Sequence, residues 1–108
     1  LNNYNRYADL IIISIFELFD SLFDNTIPIL TQNITEQKKL CPTITDHFEK
    51  WLILYSDYAP DVRLEQKYQN KVIYDISQKA DYHKAIIDFI SSLSDNFAIA
   101  SYQEIIRF

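Results

Sequence analysis

The sequence predicts an all-α chain, an irregular bundle of about four to six helices with a helix break near Ser94. Three observations carry that expectation. The chain contains no glycine, and tight primed hairpin turns and most left-handed backbone positions lean on that residue. Apolar side chains recur at spacings of three and four in several segments, the period of one helix face. At Ser94-Asp95 a capping signature separates two such segments. With 48% apolar and 15% aromatic residues, 108 residues can build one ordinary core, so residues 1–108 are expected to form a single helical domain.

In residues 7–23, Ile12, Ile15, Phe16, Phe19, Leu22 and Phe23 share one stripe, while Glu17, Asp20, Ser21 and Asp24 share another. That is an amphipathic helix with a wide apolar face, and Asn25-Thr26 and Pro28 are expected to end it. Residues 31–45 are mixed and polar, and Asn33 or Thr35 could cap a short helix there, running through Lys39. Thr45 or Asp46 then opens a clearer helix with Phe48, Trp51, Leu52 and Tyr55 on one face. Asp46 and Glu49 would complement the positive end of its dipole. Pro60 stops it, because a proline pushes the preceding residue, Ala59, out of the helical region.

From residue 61 to 80 the pattern is weaker. Leu64, Tyr68, Val72 and Ile76 at spacing four favour a helix, although Val72-Ile73-Tyr74 would also suit a strand. Asp81 is placed to cap a helix over residues 82–93, with His83, Ile86, Ile87, Ile90 and Leu93 along its buried side. Ser94 ends that helix and caps the next. Its hydroxyl is placed to accept from the backbone N–H of Asn96 or Phe97, and Asp95 takes the first helical position, where negative charge is favoured. Phe97, Ala98, Tyr102, Ile105 and Ile106 form the new apolar face.

Charge and composition narrow the function classes. Fifteen acidic against ten basic residues give a formal charge of −5, and the basic residues are scattered, so nucleic-acid binding by this segment is not expected. Residues 10–16 (LIIISIF) form the strongest apolar run, but Glu17 and Asp20 follow at once and the run is far short of the roughly 20 residues that span a bilayer. It reads as a core helix, with no membrane partner. The single Cys41 has no second cysteine to pair with, which fits a structural thiol in a reducing, cytoplasmic compartment. The chain begins at Leu1, contains no methionine and lacks a charged leader before the apolar run, and is read as a piece of a longer protein.

Chemistry-bearing residues are sparse. His47 and His83 stand far apart, outside any His-Asp dipeptide or helical i, i+4 pair of the kind zinc sites use, and each reads as an ordinary helix residue. Ser91, Ser92 and Ser94 lie in no nucleophile elbow, and a Gly-rich phosphate loop is impossible without glycine. The helix break separates Asp88 from Asp95 and removes the shared-face argument for a carboxylate pair, which leaves capping beside any functional role. Eight tyrosines and seven phenylalanines could stack bases, yet they fall on the same stripes as Ile and Leu, where core packing is the simpler role. No self-sufficient active site and no metal site are expected in this chain.

The run from Asp88 to Ala98, DFISSLSDNFA, resembles the C-terminal signature of bacterial dGTP triphosphohydrolases of the HD superfamily. There the pattern is Asp, aromatic, Ile or Val, small, Gly, Met, Thr, Asp, variable, aromatic, Ala. Asp88, Phe89, Ile90, Ser91, Asp95, Phe97 and Ala98 match, Leu93 and Ser94 are conservative replacements, and Ser92 departs from the family's Gly. Ala8, Ile12, Ile13, Ile15, Phe16, Glu17 and Phe19 are similar to the family's preceding helix, a Lys-Ala start followed by an apolar Phe-Glu-x-Phe pattern, and Ile27-Pro28 stands where a Leu-Pro often follows.

The resemblance implies an enzyme that hydrolyses a deoxynucleoside triphosphate to the deoxynucleoside and tripolyphosphate. Its divalent metal would be held by a His, a His-Asp pair and a further Asp, none of which has a counterpart in this chain. Carried over residue by residue, only Asp88, Ser94 and Asp95 are candidates, as contributors to the pocket wall or as supports of catalytic helices. The implied partners are the catalytic HD domain, a dNTP in the parent protein, and further copies in a homo-oligomer. The competing expectation is a free-standing helical module for protein–protein interaction, with apolar stripes that bury a partner helix or a second copy. A regulatory nucleotide-binding bundle is a third reading with no sequence feature of its own.

Overall fold

The computed structural model of the chain describes residues 3–107. They form α1 (Asn3–Asp20), α2 (Ile27–Leu40), α3 (Pro42–Tyr55), α4 (Pro60–Glu65), α5 (Lys79–Ser92) and α6 (Asp95–Ile106). The all-α expectation holds. The strand-like content among the described residues is one isolated parallel bridge between Ser56 and Tyr74. Among the described residues no helix is long and apolar enough to cross a membrane.

All three prolines open helices. Pro28, Pro42 and Pro60 occupy the first or second position of α2, α3 and α4, where the backbone N–H that proline lacks has no intrahelical partner. The sequence reading of Pro28 and Pro60 as terminators is therefore corrected at Pro28. It is right at Pro60 only in that Ala59, with φ −142° and ψ 76°, is not helical. α1 instead ends at Asp20, where the Leu22 and Phe23 amides tighten onto the Phe19 and Asp20 carbonyls three residues back. The Asp24 carboxylate, accepting from both the amide and the hydroxyl of Thr26, then turns the chain into α2.

Asn33 and Thr35 lie inside α2 rather than capping a shorter helix. The Asn33 amide donates to the Leu22 carbonyl at 3.1 Å and the Thr35 hydroxyl to the Thr31 carbonyl at 2.9 Å. α3 likewise starts at Pro42, ahead of Thr45 and Asp46. Its first amides are capped from across the molecule, where the Glu104 carboxylate of α6 accepts from Thr43 N at 3.4 Å and Ile44 N at 3.3 Å. Asp46, freed from capping, pairs with Lys50 one turn on at 3.0 Å.

The expected helix over residues 61–80 is not formed beyond Glu65. Leu64 is 82% exposed, and Tyr68 and Val72 are exposed as well, so of the four spaced apolar residues only Ile76 enters the core. Lys67 adopts a left-handed φ of 59°, which no helix continues through. Arg63 fixes the loop that follows: its guanidinium donates to the Ile53 and Leu54 carbonyls at the end of α3 and to the Asn70 carbonyl. The Ile73 and Tyr74 amides then both donate to the Tyr55 carbonyl, which forms the bridge beside Ser56.

α5 begins at Lys79, so Asp81 sits within its first turn instead of at the cap. Its carboxylate accepts from the Asp75 amide at 2.7 Å and fastens the loop. Its buried side is Tyr82, Ala85, Ile86 and Phe89. Ile87, expected inside, is 53% exposed. Of the expected stripe on and after α1, Ile15, Phe19 and Leu22 are buried and Phe16 and Phe23 partly so, while Ile12 stands exposed and Ile11 takes its place in the core. Leu10, Ile12 and Ile13 of the apolar run face outward. A helix with apolar residues on more than half its circumference can bury only the part that meets a neighbour.

The core is aromatic at its centre. Phe19 of α1 stacks on Phe48 of α3 at 4.1 Å, and Phe89 of α5 meets both edge-on. Tyr82 is fully buried, and its hydroxyl donates to the Phe19 carbonyl at 2.5 Å. α1 packs on α5 and α6, α2 on α3, and α3 on α4 and α5.

Candidate functional site

The corner between α5 and α6 carries the three sequence candidates. α5 closes with the Leu93 amide on the Ile90 carbonyl, and Leu93 turns out with φ −77° and ψ 142°. Ser94 follows with φ −71° and ψ 156°, and its hydroxyl accepts from the Phe97 amide at 3.2 Å. The expected cap is formed, and Asp95 takes the first helical position. No residue of the corner needs a positive φ, so Ser92 fills the position of the family's Gly without strain, with its hydroxyl donating to the Phe89 carbonyl at 2.6 Å. Ser94→Ala is expected to cost about 0.5–2 kcal/mol of stability, read as a lower urea midpoint. An unchanged midpoint would mean that the hydroxyl does not cap.

Asp88 lies on α5 and accepts from the Tyr74 hydroxyl at 2.6 Å and from Lys84, one turn earlier, at 3.0 Å. These donors, Tyr74 first, hold its carboxyl below the usual carboxylate range. Burial, reinforced by Asp88, pushes the Tyr74 phenol well above its ordinary value. A depressed carboxyl pKa contributes stability above the unfolded-state value, near 4, and that contribution disappears as pH falls through the folded-state value. Tyr74→Phe is therefore expected to flatten the loss of stability between about pH 5 and pH 2. Urea midpoints across that window check it, and an unchanged acid limb would sink it.

The three candidates do not converge on one spot. Asp88 serves Tyr74 and Lys84. Ser94 borders an open cleft shared with His47, Lys50, Trp51 and Phe97. Asp95 borders a separate, larger groove of about 710 Å³ between α1, α5 and the start of α6, where Ile12, Ile13 and Ile87 stand exposed. Sequence reasoning passed over Tyr74, because its hydrogen bond to Asp88 depends on a loop read as helix. It also treated His83 as an isolated helix residue. The structure sets His83 Nε2 2.6 Å from Asp20 Oδ1 across the α1–α5 contact, with its ring edge-on to Phe16. His47 makes a local contact to the Thr43 carbonyl and lies against Phe97.

Cys41 is buried between α2 and α3, and burial pushes its thiol above the ordinary value, which makes a thiolate scarcer there. Among the described residues no group of three or more His, Cys, Asp or Glu side chains is placed to hold a metal ion. The Asp20–His83 pair offers one carboxylate and one imidazole, one of them engaged by the other, and so does not fit the donor set of a catalytic divalent metal.

A helical module with packed aromatics and an open apolar groove, in which no catalytic set converges among the described residues, is the class of protein defined by the geometry. Residues 35–104, from within α2 to near the end of α6, match the family model of the phosphohydrolase-associated domain, HD_assoc. The match covers well over half of the chain, and the chain belongs to that family. No curated protein and no solved structure matches it. The family match bears out the resemblance at the level of HD-type phosphohydrolases, and α1 lies outside the matched residues.

Proposed function

We propose that this chain is the C-terminal helical portion of a metal-dependent deoxynucleoside triphosphate triphosphohydrolase of the dGTPase type, non-catalytic alone and packed against the catalytic HD domain. The family match over residues 35–104 carries the reading, because it contains the whole α5–α6 corner on which the resemblance rests. In this reading the rest of a cytoplasmic, homo-oligomeric protein supplies the His, His-Asp and Asp ligands, the divalent metal and the dNTP site. The metal would orient or acidify the attacking water. This chain supplies a rigid wall. Ser94 sets the direction in which α6 leaves the corner, the Tyr74–Asp88–Lys84 chain ties α5 to the loop before it, and Asp95 presents a carboxylate at the start of α6.

The test measures tripolyphosphate release from dGTP with Mn²⁺, for the purified chain and for the same chain joined to the coding sequence in frame before it. Release is expected only from the joined protein, and Ser94→Ala is expected to lower it. Release from the isolated chain would overturn the reading, as would upstream sequence without a His, His-Asp and Asp set. The latter result would leave the free-standing interaction module, whose supporting observation is that the aromatic core closes within this one chain.

A further inference from the structure

The groove between α1, α5 and the start of α6 has an apolar floor and an acidic rim. Ile12 and Ile13 of α1 and Ile87 of α5 stand about half exposed there, flanked by the partly buried Phe16, Ile90 and Leu93. Its charged lining residues are Glu17, Asp20 and Asp95, and no lysine or arginine lines it. Asp20 is engaged by His83, while Glu17 and Asp95 have no ion-pair partner among the described residues. Half-exposed isoleucines from two helices thus line one groove, and apolar side chains gathered in a groove, rather than scattered singly, point to a contact surface.

We propose that this groove docks an amphipathic helix of the phosphohydrolase catalytic portion, one that presents an aliphatic ridge flanked by Lys or Arg. This deepens the reading above and rests on it for the identity of the partner, while the chemistry of the occupant follows from the groove alone. An aliphatic ridge is what the Ile12–Ile13–Ile87 floor can bury, and helix-in-groove docking anchors at such i, i+3, i+4 positions. The rim selects the flanks. Basic side chains gain attraction from Glu17 and Asp95, whereas acidic flanks, a phosphate backbone or an anionic membrane surface meet like charge. A second copy of this chain meets the same obstacle, because a two-fold pairing through this face brings the same carboxylates toward each other.

Two hydrocarbon-stapled helical peptides with one shared leucine stripe, the first flanked by lysines and the second by glutamates, test the groove on the folded 108-residue chain. The lysine peptide is expected to bind at least roughly tenfold more tightly, to weaken as salt is raised, and to shift the amides of Ile12, Ile13, Ile87 and Ile90 in ¹⁵N spectra. Ile13→Ser with Ile87→Ser leaves the net charge untouched and is expected to abolish binding, which separates docking from general attraction to an acidic protein. Both positions are half exposed, so an unchanged circular dichroism melt is expected to show that the fold survives. Glu17→Lys with Asp95→Asn is expected to erase the preference between the peptides. Equal binding of the two peptides, amide shifts confined to other faces, or a dimer in sedimentation that Ile13→Ser dissolves would each overturn the proposal. The dGTP assay judges the parent enzyme and this titration judges the groove, so either can fail alone.

Discussion

Phe48→Ala is expected to remove about 3–5 kcal/mol of stability, the range for truncating a large aromatic in a closed core. Phe48 is fully buried and stands where three helices meet. It stacks on Phe19 of α1 at 4.1 Å and meets Phe89 of α5 edge-on at 5.3 Å and Tyr82 at 6.0 Å. Alanine would lose the transfer energy of the ring and leave a cavity that Phe19 and Phe89 cannot fill without giving up their own contacts. Against a typical total of about 5–15 kcal/mol for a domain, a loss of that size is a large fraction, and at the low end of the range it brings the variant near half unfolded. Equilibrium urea unfolding decides it, and a loss below about 1 kcal/mol would show that the aromatic cluster is not the centre of the core.

Thr45→Val is expected to act in the opposite direction, raising stability by about 1–3 kcal/mol. Thr45 is fully buried near the start of α3, and its hydroxyl has no hydrogen-bond partner among the described residues. A buried hydroxyl without a partner has given up its hydrogen bonds to water with nothing in exchange, and valine replaces it with a methyl group of similar shape. The side chain stays β-branched, so the rotamer and helix preferences hardly change. A higher thermal or urea midpoint is the expected outcome. A lower one would mean that the hydroxyl has a partner in solution, and Thr45→Ser, which keeps the hydroxyl and loses the methyl, would then be the milder change of the two.

The all-α class and the Ser94 break were legible because both are local. Glycine content, helical spacing and a serine three residues ahead of the amide it caps are properties of a few neighbouring residues, and the Phe97 amide lies where the pattern put it. The cap of α3 was not legible, since its acceptor, Glu104, comes from α6 at the far end of the sequence. The start of α2 was missed for a related reason. Pro28 is equally consistent with ending one helix and opening another, and the Asp24–Thr26 turn together with the docking of Leu30 and Ile34 into the core selects the second.

The stretch after Glu65 marks the limit most clearly. Its apolar spacing matched a helix, but Leu64, Tyr68 and Val72 stand exposed rather than packed on the core, and a short helix without packing is barely stable in water. Arg63, reaching the carbonyls at the end of α3, and the Tyr55 carbonyl, receiving the Ile73 and Tyr74 amides, hold the loop against the core instead. Tyr74 thereby reaches Asp88, and a carboxylate known from sequence only as part of a signature becomes the acceptor that ties loop to helix.

By itself the sequence determined that this is a helical chain, where one helix hands over to the next at Ser94, and a kinship that the family match bears out at the level of HD-type phosphohydrolases. All of these are written in near-neighbour patterns and residue types. Only the tertiary structure decided which part of each apolar stripe is core and which is surface. Periodicity reports that α1 is apolar along Leu10, Ile11, Ile12 and Ile13, but burial depends on which neighbours arrive, and α5 and α6 cover Ile11 while leaving the other three outside. The acid-rimmed groove exists for that reason: it is assembled from three segments distant in sequence, and its exposure is set by how closely their helices approach.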